Sequence, residues 1–326
     1  MKPNIVDVAS HAGVSKATVS RVINHNPKVN PEIRERVLAA IQELGYQPSA
    51  IAQNLATSTT NTIGLILPDI TNPYFPALAR GIEDAAHRLG YGLFICNTDN
   101  DFATEQEYIQ KMVHQRVVGI ILISSVLKEK NVKDMQQLNI PFVLCDRLLV
   151  DSPFDSVTID NYKAAYEAVL HFIGQGHKDI VHLAGPPNVH SAIERRQAYI
   201  DAMRAHQLPP VVANGSFNYD AGYHAMEELL QHMTPTAVFA ANDLVALGAM
   251  SAIFKKGLRI PEDISVVGCD DILFAQMSYP KLSTISVPAY QIGEKAVELL
   301  IDRCKGVNDG ETRNIILSHT FIQRES

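Results

Sequence analysis

Residues 5–24 read IVDVASHAGVSKATVSRVIN, and this stretch decides how the rest of the chain is parsed. Ile5, Val8, Ala9 and Ala12 recur at helical spacing. Gly13 interrupts the pattern, and Ser15 is placed to cap a second helix carrying Val19, Val22 and Ile23. Two short helices around a glycine turn predict a helix-turn-helix. Lys16, Ala17, Ser20 and Arg21 would share the side of the second helix away from its apolar stripe. Such a helix reaches base edges in the DNA major groove with its N-terminal end. Arg21 has the fork to chelate a guanine edge, Lys16 can reach a base or a phosphate, and the Ala17 methyl matches a thymine methyl. Ser15 and Thr18 suit phosphates. An ordinary three-helix bundle with solvated charges fits the same spacing, and spacing does not separate the two readings.

Outward from this stretch, Pro31 suits a first helical turn, and Ile33, Val37, Ile41 and Leu44 predict a third amphipathic helix ended by Gly45. Residues 1–47 therefore read as an α-helical head. Residues 48–61 read as a short hinge helix followed by the polar linker Thr57–Thr62. A helix of about eight residues does not persist alone in water. Two copies pairing over a minor groove would supply the partner, with Leu55 wedged between base steps. Leu55 packing on the body is the plainer alternative.

At 326 residues the chain is long enough for two or three domains, and 46% hydrophobic against 19% charged residues fits a globular protein. No run approaches the roughly 18 apolar residues of a membrane span, and the first twenty residues lack a signal-peptide pattern. The expectation is a cytoplasmic protein. Cys96, Cys145, Cys269 and Cys304 show no Cys-x-x-Cys spacing and read as free, buried thiols. Net charge is −7, yet residues 1–60 carry six Lys/Arg against four Asp/Glu. A mildly basic head on an acidic body is consistent with a nucleic-acid partner and too slight to prove one.

From residue 62 to 326 the texture changes. Apolar runs at Ile63–Leu67, Leu93–Cys96, Val118–Ile123, Phe142–Cys145, Val157–Ile159, Ile180–Ala184, Ala237–Ala240 and Ile264–Cys269 alternate with helical segments. Continuous apolar strands between helices predict parallel sheets covered on both faces, and so many units predict two subdomains. Carboxylates and amides follow these runs: Asp69, Asn97 and Asp99, Asp146, Asn242 and Asp243, Asp270 and Asp271. In open parallel sheets the ligand crevice lies outside those strand ends. Such groups suit a ligand rich in hydroxyls.

With these segments together, the chain resembles the lactose/galactose repressor family along essentially its whole length. The resemblance rests on Ile5–Ala9, Ala12–Ser15 and Thr18–Asn24 in the head, Leu44-Gly45-Tyr46 with Pro48, and Pro48-Ser49-Ala50 with Ala52 and Leu55. In the body it rests on Asn72-Pro73-Tyr74-Phe75, Asp160-Asn161, Gly176-His177, Ala241-Asn242-Asp243, Ile260-Pro261, Asp263–Gly268, Asp270-Asp271 and Leu282–Ile285. The run Leu67–Pro73 leading to Leu78-Ala79-Arg80-Gly81 is most similar to ribose-repressor relatives. The resemblance implies a helix-turn-helix head on an α/β body of two parallel-sheet subdomains, like periplasmic sugar-binding proteins. It implies a homodimer on a near-palindromic operator. DNA contacts would come from Ser15, Lys16, Ala17, Thr18, Ser20, Arg21, Asn24 and Leu55. Chain crossings would fall near 158–161, 286–290 and 317–321. The N-subdomain would comprise about 62–159 and 289–318, the C-subdomain about 160–287 and 319–326. The implied effector site, for a monosaccharide or sugar derivative, is Asn72, Tyr74, Phe75, Asp146, Arg195, Phe217, Asn242 and Asp270.

Plainer roles stand beside these. Tyr74 and Phe75 would also pack a helix start, Asp146 would also pair with Arg147, and Asn242 and Asp243 would also cap a helix. Many relatives carry Gln where Val287 stands and a polar residue where Val189 stands, so the effector is expected to be smaller or less polar on that side. The hinge lacks a basic residue near Gln53-Asn54. A glycoside-processing enzyme using Asp146 and Asp270 is the rival reading, but no nucleophile elbow or phosphate loop accompanies them. His171, His177 and His182 fall in a helix, a turn and a strand, so no metal site and no cofactor are expected. A sugar-transport receptor would give the head no role.

Overall fold

The computed structural model describes residues 3–23, 26–46, 60–123, 129–146, 152–307 and 310–326. The chain divides into two units, residues 1–60 and 61–326.

In the first unit α1 (Ile5–His11), α2 (Lys16–Ile23) and α3 (Pro31–Leu44) enclose Val8, Ala12, Val19, Val22 and Val37. Asn4 and Asp7 form a reciprocal cap on α1. Gly13 takes φ 62° in the turn. There Ser15 Oγ accepts a hydrogen bond from the Thr18 amide at 3.1 Å. Pro31 opens α3 and Gly45 closes it at φ 61°, the left-handed conformation that glycine adopts without a side-chain penalty. Asn24 and the expected hinge helix with Leu55 lie outside the described residues.

The second unit holds two six-stranded sheets. The first contains β1 (Thr62–Leu67), β2 (Gly92–Asn97), β3 (Gly119–Leu122), β4 (Phe142–Cys145), β5 (Asp155–Ile159) and β11 (Asn314–Leu317). Its order is β11-β5-β4-β3-β1-β2, parallel throughout. The second contains β6 (Ile180–Ala184), β7 (Val211–Asn214), β8 (Ala237–Ala240), β9 (Ser265–Asp270), β10 (Ser283–Ser286) and β12 (Thr320–Ile322). Its order is β12-β10-β9-β8-β6-β7, with β12 antiparallel to β10. The helices are α4 (Tyr74–Arg88), α5 (Phe102–His114), α6 (Glu129–Gln136), α7 (Asn161–Gly174), α8 (His190–Ala205), α9 (Tyr219–Leu229), α10 (Asp243–Lys255), α11 (Leu273–Met277) and α12 (Ala289–Cys304).

The chain leaves the first sheet after β5 and enters the second through α7. It returns after β10 through α12, which packs on β3, β4 and β5, and crosses again between β11 and β12. Two faces cover each central strand. On β1, Ile63, Leu65 and Leu67 join one apolar cluster, while Ile66 joins another with Ile109 and Met112 of α5. This alternation explains why the strand carries no polar side chain from Ile63 to Leu67.

Glycines let two helix pairs touch. A Cβ on Gly81 of α4 would sit 2.1 Å from the Tyr290 carbonyl oxygen of α12, and one on Gly248 of α10 would sit 2.0 Å from the Tyr219 carbonyl oxygen of α9. Cys96, Cys145 and Cys269 are buried and Cys304 is part-exposed; all four are free. Strands β7, β10, β11 and β12 go beyond the eight apolar runs of the sequence. β7, β11 and β12 are short sheet-edge strands with partly exposed side chains, and β10 buries Ser283 and Thr284, so none of them is an apolar strand buried at every position.

Candidate functional site

On α2, Lys16, Ala17 and Arg21 are exposed and Ser20 is half-buried, while Val19 and Val22 are buried. The four outward positions form one face, as a 3.6-residue period dictates. Ser15 is exposed at the head of that helix, and its hydroxyl meets that of Thr18 at 2.9 Å. This is a small polar and basic face presented by a capped helix.

The body contains a cleft of about 720 Å³, counted with the open space at its mouth. It sits where the strands of both sheets end. Pro68, Asp69, Asn72 and Phe75 follow β1, Asn100 follows β2, Ile123 follows β3, and Cys145 and Asp146 close β4. From the second sheet come Val189, His190 and Ser191 after β6, and Ser216, Phe217 and Asn218 after β7. The cleft walls thus hold Asn72, Phe75, Asp146 and Phe217, four of the eight effector residues implied by the sequence. No described residue of the lining is Lys or Arg.

The other four, Tyr74, Arg195, Asn242 and Asp270, form a buried layer adjoining those walls. Arg195, on α8, is 3% exposed. Its Nε and Nη2 donate to Asn161 Oδ1 at 3.0 and 2.9 Å, and its Nη1 donates to the Ala241 carbonyl at 2.6 Å. Asp270 Oδ1 lies 3.8 Å from Arg195 Nη1. Asn242 caps α10 by accepting from the Val245 amide at 2.9 Å, and its Nδ2 donates to the Phe217 carbonyl at 3.3 Å. It therefore holds the helix as its sequence position suggested, and it also steadies the loop that carries Phe217.

The carboxyl groups are unusual. Burial pushes Asp146 up to about 6, against the opposing pull of Arg195 and the nearby Tyr74 hydroxyl. Asp146 is part-exposed as a residue, yet its Oδ1 is buried, and neither that atom nor the Tyr74 hydroxyl has a hydrogen-bond partner. Burial also lifts Asp270 well above the carboxylate range, with Arg195 opposing and Asp243 and Asp146 adding to the rise. Asp243 behind them accepts from the Thr284 hydroxyl at 2.5 Å and from the Ile272 amide at 2.9 Å. Asp146 and Asp270 both take positive φ, 57° and 120°, a backbone costly for non-glycine residues and concentrated at functional sites. Buried acceptors that lack donors are what a hydroxyl-bearing ligand would satisfy.

Several lining residues were not among those expected: Asn100, His190, Ser191, Ser216 and Asn218. Asn100 takes φ 60° in the turn after β2, and Asn218 caps α9. A Thr-Asp-Asn-Asp turn and an Asn before a helix are legible signals, but they announce turns and caps rather than ligands. Val189 lines the cleft, whereas Val287 is buried with its amide 3.5 Å from the Asp270 carbonyl. Arg147 lies outside the described residues.

A helix-turn-helix head joined to a two-sheet body with a polar cleft at the strand ends defines a DNA-binding transcription regulator with a ligand-binding body. Residues 4–49 match the family model described as bacterial regulatory proteins, lacI family. Residues 60–325 match the model of periplasmic binding proteins and the sugar binding domain of the LacI family. The chain belongs to the lacI family of bacterial regulatory proteins. It is 41% identical over 298 residues to a ribose operon repressor of Halalkalibacterium halodurans, covering 91% of this chain and 89% of that protein. A lac repressor dimer bound to operator and the anti-inducer ONPF superposes with a TM-score of 0.90 at 29% identity, covering 100% of this chain and 99% of that one. A LacI family regulator from Enterococcus faecium with bound ribose superposes with a TM-score of 0.75 at 30% identity, covering 81% and 98%.

Proposed function

We propose that this chain is a cytoplasmic repressor of sugar-utilisation genes that binds a near-palindromic operator as a homodimer and answers to a neutral pentose in its cleft. The observation that carries the reading is the charge inventory of the cleft. Asp69 and Asp146 line it, Asp270 lies behind it, and the buried guanidinium of Arg195 is committed to Asn161 and Ala241. An anionic sugar acid or phosphate would meet carboxylates and find no described lysine or arginine on the walls. A neutral sugar would donate hydroxyls to Asp146 and Asp270 and lay a ring face against Phe217 or Phe75. The ribose-bound relative and the ribose operon repressor support a pentose.

On the DNA side, Lys16, Ala17, Ser20 and Arg21 read base edges while Ser15 and Thr18 hold phosphates; Asn24 and Leu55 are assigned the roles that the resemblance implies. The protein works by binding, without turnover. The subdomains, about 62–159 with 289–318 and 160–287 with 319–326, shift between two arrangements, and the ligand favours one of them.

The test is operator binding by fluorescence anisotropy, titrated with D-ribose, other pentoses, hexoses, ribose 5-phosphate and sugar acids. A neutral pentose should change operator affinity at least tenfold while phosphates and acids do nothing. A response confined to anionic ligands would refute the charge argument, and hydrolysis of a bound sugar would refute the regulator without turnover.

A further inference from the structure

The guanidinium of Arg195, buried behind the cleft walls, does not stand alone. We infer that Asn161 is the positioning residue that aims Arg195 and ties the occupancy of the cleft to the first chain crossing between the sheets. The inference rests on reading the cleft as the effector site.

Three observations carry it. Asn161 is 2% exposed and is the first residue of α7, two positions after the last residue of β5. It is therefore the point at which the chain, having left the first sheet, enters the second. Its single oxygen Oδ1 takes two hydrogen bonds from one guanidinium, at 3.0 and 2.9 Å. Asp160, the residue before it, caps α7 by accepting from the Lys163 amide at 2.7 Å, so the crossing is fixed on both sides of the peptide. A guanidinium has five N–H groups in a rigid fork. Asn161 and Ala241 take three, which leaves one on each terminal nitrogen. A fork held at three points is pre-organised, and a sugar hydroxyl that engages Asp270, 3.8 Å from Arg195 Nη1, loads the crossing through Arg195 and Asn161 Oδ1.

The second crossing is tied to the other member of the pair. The Val287 amide, just after β10, lies 3.5 Å from the Asp270 carbonyl. Arg195 and Asp270 face each other at 3.8 Å, each anchored beside a different crossing. Of the two anchors, only Asn161 acts through its side chain and is open to substitution.

Asn161→Leu keeps the shape and removes the acceptor; Asn161→Asp keeps the acceptor. Without ligand, hydrogen exchange over residues 158–164 is followed in the full-length dimer. Asn161→Leu and Arg195→Met should each accelerate it, and wild-type rates in Arg195→Met would overturn the inference. With D-ribose as the probe, calorimetry gives its affinity, and anisotropy gives the ratio of operator affinities without and with saturating sugar. Asn161→Leu should weaken D-ribose roughly ten- to a hundredfold, the worth of hydrogen bonds to a charged group. At saturation its operator ratio should lie within twofold of unity, while Asn161→Asp restores at least half of the logarithm of the wild-type ratio. A wild-type ratio in Asn161→Leu, or equal loss in both variants, would refute the relay and leave a purely packing role. Silence of the wild-type protein toward D-ribose would instead refute the pentose reading, and the ligand-free exchange experiment would still judge Asn161.

Discussion

Asp146→Asn should make the empty protein more stable at neutral pH and worse at binding its ligand. Burial lifts this carboxyl from 3.8 to about 6. At 1.36 kcal/mol per tenfold, holding it ionised in the folded state costs roughly 3 kcal/mol. Asp146 is part-exposed, so water relieves some of that, and about 1–3 kcal/mol is the working range. The sign follows from linkage. The folded protein holds this proton more tightly than the unfolded chain does. The stabilisation from protonation is therefore complete below about pH 4 and is lost as pH rises through about 6. An asparagine keeps the shape and never ionises. Urea unfolding of the ligand-free protein should show the variant more stable by about 1–3 kcal/mol at pH 7.5, with the gap closing toward pH 4.5. Calorimetry with D-ribose at pH 7.5 should show the opposite ranking, weaker by roughly ten- to a hundredfold, because a hydrogen bond to a carboxylate is worth about 1.5–3 kcal/mol. D-ribose binding by the native protein should also release protons near pH 6, since sugar hydroxyls favour the ionised form. A variant less stable than the native protein at pH 7.5, or one that binds the sugar unchanged, would refute the assignment.

Three other substitutions probe the frame and the head. Gly81→Ala would place a Cβ 2.1 Å from a backbone oxygen of α12; thermal unfolding should show a loss of about 2–4 kcal/mol, in the range of severe overpacking. Asp155, buried between Arg303 and Arg313 at 2.7 and 2.8 Å, is held below the usual carboxylate range by the two guanidinium groups, against the opposing effect of burial. Its contribution is present above about pH 4 and lost as pH falls, so Asp155→Asn should cost about 3 kcal/mol at pH 7 and flatten the acid limb of a pH–stability profile. Arg21→Ala should weaken operator binding by about 1–3 kcal/mol and relax preference at one base pair per half-site, read by anisotropy on single-base operator variants.

The central strands and the head were legible because each obeys one dominant rule. Central parallel strands such as Ile63–Leu67 are apolar at every position, since helices cover both faces. In the head, Ser15 and Gly45 cap helices and Pro31 opens one, all through local chemistry. Three of the four edge strands, β7, β11 and β12, were not among the apolar runs read from the sequence, although β2 at the fourth edge was. Asn314–Leu317 alternates exposed and half-buried residues, and its pairing with β5 spans more than 150 residues of chain, a distance that no local pattern encodes. The site divides the same way. Strand ends announced Asp146 and Asp270, and the resemblance supplied Arg195 and Phe217. Asn161 stood in the sequence only within the Asp160-Asn161 match at an expected chain crossing, because its role depends on Arg195, 34 positions later.

The same geometry explains why a ligand would be needed to hold the cleft shut. Asp270 and Arg195 belong to the second sheet and its helices and move together, whereas Asp146 and Tyr74 come from the first. Separating the lobes would leave the Arg195–Asp270 pair intact and return Asp146 to water. Closing them without ligand buries the Asp146 carboxyl with only the nearby Tyr74 hydroxyl and the Arg195 charge to offset it, against a desolvation cost of about 1–3 kcal/mol. A sugar hydroxyl that donates to Asp146 cancels that cost only in the closed arrangement. This differential is what a population shift requires, because a ligand indifferent to the two arrangements moves nothing. About 3 kcal/mol corresponds to a shift of roughly a hundredfold, enough to carry an operator from bound to free. A closed cleft that persisted without ligand in solution, measured as an inter-lobe distance unchanged by D-ribose, would remove this differential and the switch with it.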